Sequence, residues 1–189
     1  MYRGNIAADY GSHIPILAAA VAATRGPVVE LGAGDNSTPM LHYMCRAMRR
    51  GLVTFDNDPK WMTRFSEYNN QDWHMVCGVC PPWHMEIENP ACWYPSVNSA
   101  RWGLAFVDCA PGEIRTPLIR RLKDRADLIV VHDSEKDHGS GADYKYEQVI
   151  PEFRYVSEFR RFRPYTLVLS NVMDFKIEEV DQLWIPPGK

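Results

Sequence analysis

Apolar residues in this chain fall into short runs separated by longer stretches of helical period. Val28-Val29-Glu30-Leu31, Leu52-Val53-Thr54-Phe55, His74 to Val79, Gly103 to Asp108 and Ala126 to Asp133 are too short for helices and rich in β-branching. They predict strands, buried on both faces where the apolar run is continuous. Between them, Met40, Leu41, Met44, Cys45 and Met48 recur at helical spacing, predicting a helix from Thr38 to about Arg50 that Gly51 closes. Asp58-Pro59 opens another helix, with Trp61, Met62, Phe65 and Tyr68 on its apolar face, and Leu118, Ile119 and Leu122 mark a third after Arg115. Ile14 to Ala23 has some look of a signal-peptide core, but its flanks are wrong, and it reads as an Ala-rich helix on the sheet, with Ser12 as cap and Pro15 near its start. A short helix is expected around Tyr146 to Phe153.

Strands alternating with helices describe a parallel α/β sheet, doubly wound, with its site at the strands' carboxyl ends. The last two runs, Tyr155 to Phe162 and Tyr165 to Ser170, are joined by Arg163-Pro164, too short for a parallel crossover, so they must pair antiparallel. A chain of 189 residues suits one domain over 1–189 with a full core. Its net charge of −3 argues against a nucleic-acid partner held by an overall basic field. The basic groups Arg46/Arg49/Arg50, Arg120/Arg121/Lys123 and Arg160/Arg161/Arg163 read as solvated helix faces and strand ends. Five cysteines, an odd number without secreted-scaffold spacing, read as reduced thiols of a cytoplasmic protein. No stretch is long and apolar enough for a bilayer.

The chemistry centres on the end of the first strand. Gly32 and Gly34 follow it at once, and Asn36 or Ser37 can cap a helix with Pro39 in its first turn. A strand, a glycine turn and a helix N-terminus make a small-ligand cradle, and Glu30 beside the turn suits an ammonium or hydroxyl better than a pyrophosphate. Ser37 stands where the dinucleotide fingerprint has its third glycine, which disfavours a nicotinamide-dependent reductase. Asp56, about 20 residues beyond the turn, sits where such folds bind ribose hydroxyls, with Asn57 and Asp58 as alternatives.

Glu30-Leu-Gly-Ala-Gly34 with Ser37-Thr38 behind it resembles the first motif of the class I S-adenosylmethionine-dependent methyltransferases, and the closing antiparallel pair extends the resemblance over nearly the whole chain. It implies a Rossmann-like sheet of seven strands, with Glu30, Gly32, Gly34 and Ser37 near the cofactor's amino-acid end and Asp56 and Asn57 at its ribose. Asp108 and Asp133 end neighbouring strands on the same rim, a place for cofactor contact or catalysis. The catechol-type O-methyltransferases hold a divalent metal there. The resemblance thus implies Mg²⁺ on Asp108 and Asp133, with Ser134 where that family often has Asn. Without a metal, His132, Asp133, His138 and Asp108 are candidate bases, and His13 is a candidate at the start of the first helix. Arg115 could pair with Asp108 or meet an anionic acceptor.

Two loops have the length and composition of acceptor-site covers: the aromatic segment from Cys80 to Arg101, which could also carry an interface between copies, and the glycine-rich one from His138 to Tyr144. Cys77 and Cys80, with His84 and Cys92, form a weak zinc pattern, and free thiols are the simpler reading. The expected activity is methyl transfer from S-adenosylmethionine to oxygen on a small-molecule or sugar-like acceptor. A non-catalytic cofactor-binding or scaffold protein on the same fold is the rival from another class.

Overall fold

A computed structural model describes residues 11–70, 72–79, 97–98, 100–135 and 144–182. Seven strands form one sheet: β1 (Val28–Leu31), β2 (Leu52–Asp56), β3 (His74–Gly78), β4 (Trp102–Val107), β5 (Ala126–His132), β6 (Tyr155–Phe159) and β7 (Thr166–Ser170). Their order is β3-β2-β1-β4-β5-β7-β6. The first five are parallel, β7 runs antiparallel to β5, and β6 pairs antiparallel with β7. The closing pair is therefore present as expected, with the later strand inserted next to β5.

Side chains alternate across the strands, and the alternation builds two cores. Leu104, Phe106, Leu128 and Val130 pack on one face with Ile16 and Leu17 of α1 (Ile14–Ala23) and Leu41 and Cys45 of α2 (Ser37–Ala47). Ala105, Val107, Ile129 and Val131 pack on the other with Leu118, Ile119 and Leu122 of α4 (Arg115–Leu122). Both faces of β4 and β5 are covered, which is why those strands are continuously apolar. Two further helices are α3 (Pro59–Arg64), capped by Asp58 Oδ1 accepting from the Lys60 N–H at 2.8 Å, and α5 (Ile177–Gln182). Among the described residues no helix is long and apolar enough to cross a membrane.

Several boundaries differ from the sequence expectation for identifiable reasons. The segment from Tyr146 to Phe153 is two 3₁₀ turns, Tyr146–Gln148 and Ile150–Glu152, with Pro151 denying the second an amide donor. Gly51 does not close α2: Arg49 takes the left-handed conformation (φ 55°) and the Arg50 N–H donates to Cys45 O at 2.9 Å. Arg50 is no solvated face either. It is buried, and its guanidinium donates to Gly26 O (2.6 Å), Val21 O (2.6 Å) and Thr24 Oγ1 (3.2 Å), fastening the chain between α1 and β1. Ser12 does not cap α1, whose N-cap is His13 without a side-chain bond. β4 and β5 each stop one residue early, leaving Asp108 and Asp133 just beyond the sheet, the latter at φ 58°.

Candidate functional site

The glycine turn is built against the protein's own backbone. Gly32 has φ +97°, and a Cβ there would lie 2.4 Å from Asp108 O and 2.7 Å from Cys109 Cα. Only glycine permits both the conformation and the approach of the turn to the end of β4. The next amide, Ala33 N–H, donates to Asp56 Oδ2 at 2.8 Å, and the Asp58 N–H donates to Asp56 Oδ1 at 2.7 Å. Burial raises the Asp56 pKa, against the pull of these amides. An ionised carboxylate has about four acceptor positions, so Asp56 keeps acceptor capacity beyond its two amides. Asn57 Nδ2 donates to Ala110 O at 2.9 Å, joining the ends of β2 and β4.

Glu30 lies beneath this turn and is wholly buried. Thr38 Oγ1 and Thr54 Oγ1 donate to its Oε2 at 2.9 and 2.7 Å, and Thr38 Oγ1 in turn accepts from the Gly34 N–H at 3.0 Å. The carboxylate thus ties the first turn of α2 to the middle of the sheet. Behind Thr54 the chain of bonds continues through His74 Nε2 (3.0 Å) to His42, whose Nδ1 meets His74 Nδ1 at 2.9 Å. Burial lifts the Glu30 pKa to about 7, against the hydroxyls of Ser37, Thr54 and Thr38. Burial likewise pushes His74 down to about 4. Ser37 is buried beside the turn, its Oγ 2.8 Å from where a Gly34 Cβ would be.

A second cluster occupies the rim beyond β4 and β5. Arg115, at the start of α4, is buried and donates to five places: Cys109 O (2.7 Å), His132 O (3.2 Å), Asp133 Oδ2 (3.1 Å), Asp108 Oδ1 (2.9 Å) and, more weakly, the Tyr146 hydroxyl (3.5 Å). The Tyr144 ring lies over it, 4.5 Å from the guanidinium carbon. The remaining carboxylate oxygens converge on His132, whose Nδ1 is 3.2 Å from Asp108 Oδ2 and 3.4 Å from Asp133 Oδ1. On its other side His132 Nε2 meets Ser12 Oγ at 2.9 Å. Ser12 gives its only proton to Pro164 O (2.7 Å), so His132 Nε2 carries the hydrogen between them. Burial alone would lower the His132 pKa, but the Asp108 hydrogen bond and the two carboxylate charges raise it. Asp108 is held low by His132 and Arg115 against its burial.

His13 completes the cluster. It is 2% exposed, and among the described residues neither ring nitrogen has a hydrogen-bond partner. Its ring packs edge-on to His132 (centroids 4.5 Å apart) and against Phe106 (4.9 Å), and burial pushes its pKa down to about 3. Beyond Asp133, a cavity of about 550 Å³ opens between the 3₁₀ turns and β6, lined by Ser134, Glu135, Tyr144, Tyr146, Glu158 and Tyr165 among others.

The structure thus brings Gly32, Gly34, Ser37, Asp56 and Asn57 together at one turn, encloses Glu30 under it, and joins it through Gly32 to Asp108, His132 and Asp133. For Mg²⁺ the donor set fits poorly: the Arg115 guanidinium already stands between the two expected carboxylates, and the Ser134 hydroxyl donates to Glu158 Oε1 at 2.7 Å. Arg115 as a double bridge was not legible, because Asp133 lies in a different strand's exit and no local spacing announces it. Cys77 is half-buried with its pKa raised by burial, while Cys80, His84, Cys92, His138 and most of both predicted covers lie outside the described residues.

No protein-family model matches the chain, and no curated protein matches it by sequence. Solved structures do match by fold. A cofactor-bound Rv0187 from MTB has a TM-score of 0.59 at 18% identity, covering 86% of this chain and 81% of that one. The Streptomyces achromogenes O-methyltransferase TomG, solved with S-adenosylmethionine, has a TM-score of 0.56 at 15% identity, covering 82% and 78%. The Podospora anserina methyltransferase PaMTH1, solved with S-adenosylhomocysteine, has a TM-score of 0.58 at 14% identity, covering 83% and 76%. The fold is that of the class I S-adenosylmethionine-dependent methyltransferases.

Proposed function

We propose that this chain is an S-adenosylmethionine-dependent methyltransferase acting on oxygen of a small-molecule acceptor. The observation that carries the reading is the joint between Ala33 and Asp56, which holds an acceptor-rich carboxylate against the glycine turn. The likeness to methyltransferase folds solved with this cofactor supports it. Asp56 would take the ribose hydroxyls, with Asn57 beside it, and the turn from Gly32 to Ser37 the amino-acid end. Glu30, enclosed beneath, would hold the turn's shape. When bound, the cofactor supplies an electrophilic methyl group on a sulfonium.

What remains for the protein is to orient the acceptor, exclude water and take up one proton. The cavity beside Asp133 is sized for a small acceptor, and its three tyrosines and three glutamates supply aromatic walls and hydrogen-bond partners. Asp108 and Asp133 keep some exposure on the rim, and His132 behind them is the proton store. Its Nε2–H is fixed on Ser12, so a proton arriving at Nδ1 makes an imidazolium held between two carboxylates. Arg115 holds both carboxylates in place, and with His132 it keeps Asp108 ionised against its burial. A non-catalytic cofactor-binding role is the competing reading.

Calorimetric titration with S-adenosylmethionine, S-adenosylhomocysteine and NADH tests the proposal. Binding of both sulfur compounds and not NADH is expected. Binding of NADH alone, or of none of the three, overturns it.

A further inference from the structure

We propose that His42 and His74 are positioning residues of the cofactor cradle, joined through Thr54 to Glu30 in a hydrogen-bond wire that carries protons between solvent and the buried carboxylate. Glu30 and Thr54 are register partners on β1 and β2, His74 opens β3, and His42 lies on α2. Glu30, Thr54 and His74 are all 0% exposed, while His42 is half-buried and is the member that meets water. The wire stands on its own geometry, and only its effect on cofactor binding rests on the methyltransferase reading.

The hydrogens available fix the direction of every bond. Thr54 Oγ1 gives its single hydrogen to Glu30 Oε2 (2.7 Å), so it accepts from His74 Nε2–H (3.0 Å). A neutral His74 then has a bare Nδ1, which takes the hydrogen of His42 Nδ1 at 2.9 Å. All three donors point toward the carboxylate. A proton taken up at His42 Nε2 releases the Nδ1 hydrogen to His74 Nδ1. His74 passes its Nε2 hydrogen to Thr54, and Thr54 passes its own to Glu30 Oε2. Each relay gives up one hydrogen and receives one, and the wire is left pointing outward, with His74 in the Nδ1–H tautomer. The other branch from Glu30 runs to Thr38, whose oxygen accepts from the Gly34 amide, and an amide keeps its hydrogen.

The basicities run in the order that inward transfer needs. Partial burial and Arg46 lower the His42 pKa, and burial pushes His74 down to about 4, so neither imidazole keeps the proton near neutral pH. Glu30, raised to about 7, does. Its Oε1 is buried without a hydrogen-bond partner among the described residues, so half of the ionised carboxylate is left without a donor. The other titratable groups facing Glu30 hold one state there: Asp108 is kept low by His132 and Arg115, and burial pushes the Cys45 thiol of α2 up to about 11. Around His42 stand Arg46 and the rings of Tyr43, Tyr68 and Trp73, the Tyr68 hydroxyl being raised further. Two threonine hydroxyls already donate to Glu30, so its burial does not require the imidazoles. What they add is a connection to the surface. The charge under the glycine turn therefore follows the external pH, and a ligand ammonium at the turn is held more tightly once Glu30 is ionised.

The test is long-range ¹H–¹⁵N NMR of the histidine side chains of the full chain across about pH 5.5–8.5, with S-adenosylhomocysteine titrated at about pH 6 and pH 8. His74 is expected to stay neutral and to change from the Nε2–H tautomer at high pH to the Nδ1–H tautomer at low pH, with its midpoint at about 7. The change is expected to vanish in Glu30→Gln and Thr54→Val and to return in Thr54→Ser, which keeps the hydroxyl. Should a variant fail to fold, the wild-type spectra alone decide whether the tautomer follows pH. S-adenosylhomocysteine affinity is expected to rise about three- to tenfold from pH 6 to pH 8, the upper figure being the rise in the ionised fraction of Glu30, and not to rise in Glu30→Gln. One His74 tautomer across the whole range, an imidazolium in place of the second tautomer, or a change that survives in Thr54→Val would each overturn the wire. Affinity that is flat with pH overturns its role in the cradle. No S-adenosylhomocysteine binding at either pH, with the tautomer change intact, overturns the methyltransferase reading instead.

Discussion

The Ala33 N–H and the Asp56 carboxylate, from two different βα units, are joined at 2.8 Å. The turn and the strand-end acid are therefore positioned by each other, and a ligand engaging both meets a geometry already set. Preorganisation of this kind lowers the ordering cost of binding.

Asp56→Ala removes the acceptor and leaves the Ala33 amide without its partner. S-adenosylhomocysteine binding is expected to weaken roughly 10- to 100-fold, the worth of one or two hydrogen bonds to a charged group. Asp133→Ala should leave that affinity nearly intact while abolishing turnover. Calorimetry on both variants decides it, and equal losses of affinity would refute the division between a cofactor half and a reaction half.

Arg115→Met strands Asp108 and Asp133, whose side chains are only 24% and 18% exposed. A loss of about 3–5 kcal/mol is expected in urea unfolding, since removing one partner of a buried pair leaves uncompensated charge. Arg115→Lys should recover only part of it, because a point charge cannot span both carboxylates. A methionine variant as stable as the wild type would mean that the bridge contributes nothing to the fold.

Glu30 ties pH to stability. Its folded pKa of about 7 lies above the ordinary 4.5, so the folded state holds the proton more tightly than the unfolded chain. That stabilisation is complete below pH 4.5 and is lost as pH rises to about 7, an effect of up to roughly 3 kcal/mol. His74 works in the opposite sense: with its pKa lowered to about 4, it costs stability as pH falls from 6.5 toward 4. Glu30→Gln should remove only the first component. Thermal unfolding of wild type and variant across pH 4–8 should show their stability difference shifting against the wild type as pH rises. A constant difference would mean that Glu30 does not titrate in this range.

Glycines separate into the indispensable and the incidental. Gly32→Ala meets both an unfavourable φ and the Asp108 carbonyl, and should cost several kcal/mol or prevent folding. Gly51→Ala finds nothing closer than Pro27 Cβ at 3.9 Å and should be neutral within about 0.5 kcal/mol. Arg49→Gly, which relieves a left-handed arginine, should stabilise by up to about 1 kcal/mol. Denaturant midpoints of the three variants check the ranking.

The sheet was readable because each strand's composition follows from its own surroundings: Leu104 to Val107 are apolar on both faces, and the brevity of Arg163-Pro164 dictates antiparallel pairing. The strand order β7 before β6 was not readable, since either strand satisfies the pattern next to β5. Gly32 and Asp56 announce themselves by spacing from β1. Glu30 looked like a ligand because the threonines that enclose it, Thr38 and Thr54, belong to a helix and a neighbouring strand, and sequence distance hides that they point at one oxygen. Arg50 looked solvated for a related reason: its three acceptors lie in the last turn of α1 and the connection to β1, more than twenty residues upstream. Ser12 and His13 were placed at the right helix, but their contacts with His132, 120 residues away, come from the tertiary fold alone.

The reversed strand β7 also has a bearing on how such a protein diversifies. Because it runs against β5, with His132 opposite Thr166, the short hairpin from Phe159 to Thr166 turns at the same rim as Asp108 and Asp133. This connection links two neighbours already zipped together. Lengthening it costs little, about 0.6 kcal/mol for each doubling of a flexible loop. New side chains could be grafted beside the cavity that Tyr165 lines while Pro164 O still receives the Ser12 hydroxyl, making this hairpin the natural place to alter what that cavity accepts by design.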